Sequence, residues 1–187
     1  MRKVVVAALV VFACFRAPAH GQAPPPATSP VVAAVKALQQ RISEHIVGAA
    51  EAMPADKYAY QPTPAQMTFA RLMAHVAQTN MVICSTLTTS DPPFDLDRLR
   101  DVGNLVDKAA IVPVLKQSFE YCGGALAGLS DAQLGRDASF LGRSAGSSQA
   151  VALVTLATDW ADHYSTAAGY LRLNGLVPPS AAPTAAK

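Results

Sequence analysis

The feature that most constrains the fold is a series of four long segments in which apolar residues recur at helical spacing, each ended by proline or glycine. The first segment begins with Ser29, a favourable N-cap, and with Pro30, which suits the first helical position. It stops at Met53-Pro54. Its apolar residues follow the i, i+4, i+7 pattern of one buried helix face, namely Val31, Val35, Leu38, Ile42 and Ile46. The segment therefore predicts a first helix.

Three further segments predict three more helices, over about residues 65–88, about residues 107–128, and from Ser147 or Ser148 to Asn174. Pro113 removes a backbone donor within the third helix, so we expect the first turns of that helix to be kinked or separate. After the fourth helix, Gly175 suits the left-handed C′ position and Pro178 cannot continue the helix. Residues 91–106 and 130–146 show no convincing strand pattern and are predicted as connections.

The lengths of the connections predict the order of the helices. The link between the first two is short, so these helices should be antiparallel neighbours. The longer connection after the second helix allows a crossover and a parallel third helix, and the last link can reverse the direction again. We predict an all-α protein, a four-helix bundle over residues 29–179 that runs up, down, down, up with a long crossover between helices two and three.

This order places two cysteines at similar heights. Cys84 lies far along predicted helix two and Cys122 lies far along predicted helix three. In parallel helices the two side chains could meet, so a Cys84–Cys122 disulfide is predicted. The alternative is a pair of buried free thiols, which are common in protein cores.

The N-terminus has the pattern of a secretory signal over residues 1–21. Arg2 and Lys3 precede the apolar run Val4–Phe15, which is too short to span a bilayer comfortably. Small residues around Gly21 predict cleavage that leaves Gln22 first. The alternatives are an uncleaved membrane anchor and a lipoprotein modified at Cys14.

Export would place the protein in the periplasm or outside the cell, where disulfides form. Residues 22–28 are rich in proline and alanine and are predicted as a flexible leader, whereas residues 180–187 are predicted as a disordered tail.

Loss of the signal also removes the positive charge of the chain. The full chain has 15 Lys and Arg against 13 Asp and Glu, and Arg2, Lys3 and Arg16 would leave with the signal. The remaining chain then has one more acidic than basic residue. We therefore expect no nucleic-acid partner, because no basic excess is left to neutralise phosphates. We also expect no stable membrane insertion after cleavage.

Candidate metal ligands lie on two of the predicted helices. Asp159 and His163 are four residues apart in the last helix, so both side chains face one side and could reach a single ion. His75 in the second helix offers another imidazole. Each also has an ordinary interpretation: His75 as a hydrogen-bonded boundary histidine, and the other two as a local i, i+4 pair.

Two stretches carry a resemblance to a known family: Pro62-Thr63-Pro64 with Met67-Thr68-Phe69-Ala70-Arg71-Leu72-Met73-Ala74-His75-Val76-Ala77, and His163-Tyr164 through Pro179. There the chain resembles the DinB/YfiT-like family of four-helix-bundle proteins, many of which bind a divalent metal. The resemblance implies the up-down-down-up order and a site with one histidine from helix two and an H-x-x-x-H pair from helix four. His75 matches the first and His163 the last, and Asp159 stands where the other histidine would be.

Two imidazoles and a carboxylate can hold Zn²⁺, Ni²⁺, Fe²⁺ or Mn²⁺, and three protein ligands leave positions open for water or substrate. We predict an exported divalent-metal-binding protein with metal-dependent hydrolase or transferase activity on a small molecule. The alternative is a non-catalytic helical binding or envelope-stress module with a degenerate metal site, and a homodimer fits either reading. The sequence leaves open whether the protein is an enzyme. Weaker candidates for a role beside the metal site are His45, Gln78, Asn80, Glu120 and Tyr164.

Overall fold

The computed structural model describes residues 29–88, 94–140 and 143–182. The predicted signal (1–21), the predicted leader (22–28) and residues 183–187 of the predicted tail lie outside the described residues. The described part is mostly helical, and its five α-helices are α1 Pro30–Ala52, α2 Phe69–Ser85, α3 Leu96–Gly103, α4 Lys108–Ala127 and α5 Gln149–Leu173. None of these helices combines the length and the apolar character that a membrane crossing requires.

Local chemistry explains where the long helices begin and end. α2 starts later than its apolar pattern predicts because Thr68 is the N-cap, and its hydroxyl accepts a hydrogen bond from the Arg71 N–H at 3.1 Å. α4 is one helix through Pro113, so the expected break is not seen. A proline this close to the helix start leaves only the Ala109 carbonyl without its donor. Gly175 adopts a left-handed φ of 73° and closes α5, as predicted.

The all-α prediction is wrong in one respect, because a small antiparallel sheet precedes α5. Its strands are β1 Asp137–Phe140 and β2 Arg143–Ser148, with Ser139 opposite Ser144. Both strands are rich in serine, alanine or glycine, so they lack the apolar alternation that identifies a strand in sequence. The chain also forms α3 within the predicted connection 91–106, where the Asp95 carboxylate caps the helix by accepting from the Arg98 N–H at 2.8 Å.

The four long helices surround one core. α2 packs against α4 and α5, α1 packs against α4 and α5, and the short α3 packs on α2. The largest fully buried side chains come from all four long helices or their ends and include Ile46, Met53, Phe69, Met73, Leu115 and Trp160. In α1 this burial follows the predicted face at Ile42 and Ile46, whereas Val31 is 49% exposed and its neighbour Val32 is buried in its place.

Side-chain pairs fix the relative directions of these helices. The Asn80 side-chain N–H donates to the Ser118 hydroxyl at 3.0 Å, and one turn further along both helices Cys84 and Cys122 form a disulfide with Cα atoms 5.2 Å apart. α2 and α4 therefore run in the same direction here, and the predicted disulfide is present. α2 and α5 run in opposite directions, since Phe69 lies beside Tyr170 whereas Thr79 contacts Asp159.

Residues that are distant in sequence bond to the first and the last segments that the structure describes. Ser29 occupies the N-cap position of α1, but the capping carboxylate is that of Asp131, which accepts from Val31 N–H at 3.0 Å and Val32 N–H at 2.9 Å. At the other end, the first residues of the predicted tail overlap a 3-10 turn, Pro179–Ala181, that contacts α1. The Ser180 N–H donates to the Tyr164 hydroxyl at 2.8 Å.

Candidate metal centre

The structure brings His75, Asp159 and His163 together at the contact between α2 and α5. Each offers one ligand atom, and these atoms all lie within 4.8 Å of one another. The His75 and His163 ring centroids are 4.9 Å apart with a tilt of 44°. All three residues are partly buried, and only 13% of the His163 side chain and 17% of the Asp159 side chain are exposed. The arrangement could hold a metal ion, and the role of these residues as ligands stays a prediction.

The packing of α2 on α5 explains why the three side chains meet. Asp159 and His163 share a face of α5 because they are one turn apart. Trp160, the next residue after Asp159, is fully buried, and its indole N–H donates to the side-chain oxygen of Asn80 at 2.6 Å. This buried hydrogen bond sets the rotation of α5 against α2, so Asp159 comes to the edge of the core beside the His75 face of α2.

A backbone hydrogen bond selects the tautomer of His163. Its Nδ1 lies 2.7 Å from the main-chain carbonyl oxygen of Asp159. A carbonyl oxygen can only accept, so Nδ1 carries the hydrogen in this contact, and in the neutral ring Nε2 then keeps its lone pair. Such an orienting bond on one ring nitrogen is typical of histidines whose other nitrogen binds a metal. The same Nδ1 lies 3.4 Å from the Asp159 Oδ1.

Thr79 is a further member of the site that the sequence did not identify. Its hydroxyl lies 3.0 Å from the Asp159 Oδ2 and can donate to it, with the Val76 carbonyl at 3.2 Å as the competing acceptor. Thr79 follows His75 by one turn on α2, so the two residues share a face. That spacing was the only signal in the sequence, and it gains meaning only once α5 is placed against α2.

Burial lowers the pKa of the His75 imidazole below its usual range. The neighbouring His163 and the Arg71 charge lower this pKa further, whereas the Asp159 carboxylate opposes the shift. His75 is therefore neutral at pH 7, which is the form that donates a lone pair to a metal.

The weaker candidates have other partners. The His45 ring stacks on Tyr164 at a centroid distance of 4.9 Å, and the buried Asn80 joins α2 to Ser118 and Trp160. The side-chain N–H of Gln78 donates to the Leu99 carbonyl on α3 at 2.9 Å, and Glu120 lines a groove between α1 and α4. Within the described part of the chain, the group that could hold a metal comprises His75, Asp159 and His163 alone.

The sequence of the chain matches that of a known protein family. The sequence model of the DinB superfamily matches residues 34–166. No curated protein matches the chain.

Among solved structures, a DinB-like protein from Bacillus cereus is similar, with a TM-score of 0.57 and 18% identity over 76% of this chain and 93% of the other. The mycothiol-dependent maleylpyruvate isomerase is also similar, with a TM-score of 0.55 and 14% identity over 72% of this chain and 59% of the isomerase. A mutant of that isomerase gives a TM-score of 0.56 at 12% identity over the same shares of the two chains. At these identities the likeness shows the fold.

Proposed function

This chain belongs to the DinB superfamily, and from that premise we propose that it binds one divalent transition-metal ion through His75, Asp159 and His163. The observation that carries the proposal is the clustering of the three ligand atoms within 4.8 Å. At metal–ligand distances of about 2.0–2.2 Å, ligand atoms of a tetrahedral site lie about 3.4 Å apart. Small side-chain adjustments would therefore close the cluster around an ion.

The donor set fits Zn²⁺, Ni²⁺, Fe²⁺ or Mn²⁺. A bound metal would supply Lewis acidity and an activated water, which suits hydrolysis or group transfer on a small molecule. The residues of the chain orient the site. The Asp159 carbonyl holds His163 in the tautomer that leaves Nε2 free, and Thr79 holds one oxygen of the Asp159 carboxylate. The carboxylate also lowers the charge of the site relative to three histidines, which favours harder metals over Zn²⁺.

We also propose that the four long helices form an up-down-down-up bundle and that the protein is exported to the periplasm or secreted. The pairwise directions of α2, α4 and α5 support the first point. The Cys84–Cys122 disulfide supports the second, because such bonds persist in oxidising compartments. An exported protein is not expected to share the mycothiol dependence of the isomerase, because low-molecular-weight thiols are scarce and oxidised outside the cytosol.

A second candidate function is a non-catalytic binding or envelope-stress module whose metal site is degenerate. The observation that favours it is that Asp159 already has protein partners on both sides. Its Oδ2 accepts from Thr79 at 3.0 Å, and its Oδ1 lies 3.4 Å from His163. Replacing Asp159→His separates the two candidates. A large gain in metal affinity from almost none would identify a degenerate site, whereas tight binding by the natural protein would support a functional one.

The test is the metal content of the protein, expressed as the full chain and purified from the periplasm without a chelating tag. About one equivalent of transition metal, lost in His75→Ala and Asp159→Ala and retained in His45→Ala, would support the site. His45 is the matched control because it is a histidine that stacks on Tyr164 rather than joining the cluster. No metal after incubation with Zn²⁺, Ni²⁺, Fe²⁺ and Mn²⁺ would refute the proposal. The intact mass of the same sample tests cleavage after Gly21.

A further inference from the structure

A second surface feature lies beside the candidate metal centre. α2, α3 and β1 enclose a cleft of about 390 Å³. Among the described residues its charged lining consists of Arg71 and Arg100, with no acidic side chain. The polar amides of Gln78 and Asn104 line it too, and so do apolar side chains such as Leu99 and Phe140. The cleft therefore combines positive charge with an apolar wall.

The helix geometry of α2 places this cleft next to the metal centre. Arg71, Gln78 and Val82 line the cleft and follow the i, i+7, i+11 spacing of one helix face. His75 lies on the flank of that face, within the length of α2 that the cleft spans. Thr79, which contacts Asp159, lies further round in the same direction. His75 therefore separates the cleft wall from the rest of the metal centre, and Arg71 is close enough for its charge to reach His75.

Both arginines can bind an external anion. Arg71 is exposed, and its guanidinium has no ion pair within residues 29–88, 94–140 and 143–182. Arg100 pairs with Asp97 at 3.1 Å, but the two side chains are 68% and 77% exposed. An exposed pair of this kind contributes little and can exchange for another carboxylate. The planar guanidinium group favours carboxylate and phosphate, which it can bind with two parallel hydrogen bonds.

A packed contact sets the spacing of α2 and α3 along the cleft. The side-chain N–H of Gln78 donates to the Leu99 carbonyl at 2.9 Å, which ties α3 to α2. The absence of a side chain at Gly103 allows this approach, since a Cβ there would lie 2.8 Å from the Gln78 Nε2. The spacing of the two arginine-bearing helices is therefore set by the fold.

We propose that this cleft binds a small carboxylate with a short apolar body, through Arg71 and Arg100, and presents it beside the metal centre. This inference rests on the proposed metal function and names its substrate class. The carboxylate pairs with the guanidinium groups, and the apolar part contacts the wall that includes Leu99 and Phe140. A cation would be repelled by the two arginines, and a neutral ligand would form no charge-assisted hydrogen bond with either of them.

The test is isothermal titration of phenylacetate and of the neutral phenylacetamide into the metal-loaded protein, with metal content measured on the same samples. We expect phenylacetate to bind at least tenfold more tightly than phenylacetamide. Arg71→Ala should weaken phenylacetate binding about 10–100-fold, as for loss of a charge-assisted hydrogen bond. Arg98→Ala is the matched control, because this arginine lies on α3 but lines a different small pocket with Tyr121, and phenylacetate affinity should not change.

Equal affinities for the two probes, or an unchanged affinity in Arg71→Ala, would overturn the proposal. A preference for inorganic phosphate over phenylacetate would overturn the carboxylate assignment. Failure of the metal proposal would be seen separately. The samples would then contain no metal but would still bind phenylacetate, and Arg71→Ala would still weaken that binding. Circular dichroism of each variant checks that the helices are intact.

Discussion

Replacing the cysteines of the Cys84–Cys122 disulfide should reveal how much the covalent link stabilises the parallel pair α2 and α4. The two residues are separated by 38 positions in sequence. The loop-closure relation gives an unfolded-state entropy loss of about 13 cal/mol/K for a loop of that size, or about 4 kcal/mol at 25 °C. Opening the link should cost the protein about this much of its free energy of unfolding.

The contribution of the disulfide to stability can be separated from that of side-chain packing. Both cysteines are fully buried, so each replacement by alanine also leaves a small cavity. Cys84→Ala and Cys122→Ala each remove the disulfide, so the sum of their two destabilisations counts its loss twice. The double variant counts that loss only once. The destabilisation of the double variant should therefore fall short of the sum of the two single variants by about 4 kcal/mol, and this difference is free of both cavity terms.

The assay is urea unfolding of the oxidised wild type and the three variants, followed by circular dichroism. The slope of the free energy against urea should rise in the variants, because an unfolded chain without the cross-link exposes more surface. Thiol titration establishes that the wild type is oxidised, and wild type in reductant is the control for the open link without a cavity. Additive single variants, or a double variant within about 1 kcal/mol of the wild type, would refute the reasoning.

Three further predictions follow from particular contacts. Thr79→Val should weaken Zn²⁺ binding about 10–100-fold and Thr79→Ser should retain it, because the hydroxyl orients the Asp159 carboxylate. Equal Zn²⁺ affinities of the two variants in a competition titration would contradict this role. Asp131→Ala should cost about 0.5–2 kcal/mol in urea unfolding and speed amide hydrogen exchange in the first turn of α1, and unchanged exchange there would exclude the cap. Asn80→Leu should cost about 1–3 kcal/mol, because it leaves the Trp160 indole N–H buried without its acceptor, and a neutral unfolding free energy would argue against that hydrogen bond.

The sequence predicted the long helices well because local chemistry determines their ends. Pro30 at the start of α1 and Gly175 after α5 act through their own backbone preferences, which do not depend on the rest of the fold. The i, i+4 spacing of Asp159 and His163 is local in the same sense. The disulfide followed from one step of topology, the parallel order of the second and third long helices, and the Asn80–Ser118 and Cys84–Cys122 pairs, one turn apart on both helices, agree with that order.

The features that were missed depend on tertiary packing or lack a periodic signal. α3 has eight residues, fewer than the window over which helical periodicity is read, and the two strands of the hairpin lack apolar alternation. The partnership of Thr79 with Asp159 requires the rotation of α5 that Trp160 sets. The third candidate ligand, His75, could be assigned to the same site only from the family resemblance, because sequence spacing does not show which residue of α2 lies near a given residue of α5.

The cap on α1 has a consequence for the order of folding. The first backbone donors of α1 are bonded by a carboxylate about 100 residues later in the chain. That contact cannot form until the polypeptide has been made through Asp131, and its formation requires closure of a long loop. The first turn of α1 should therefore be among the last parts of the helix to become protected, and in a chain truncated before Asp131 that turn would be frayed.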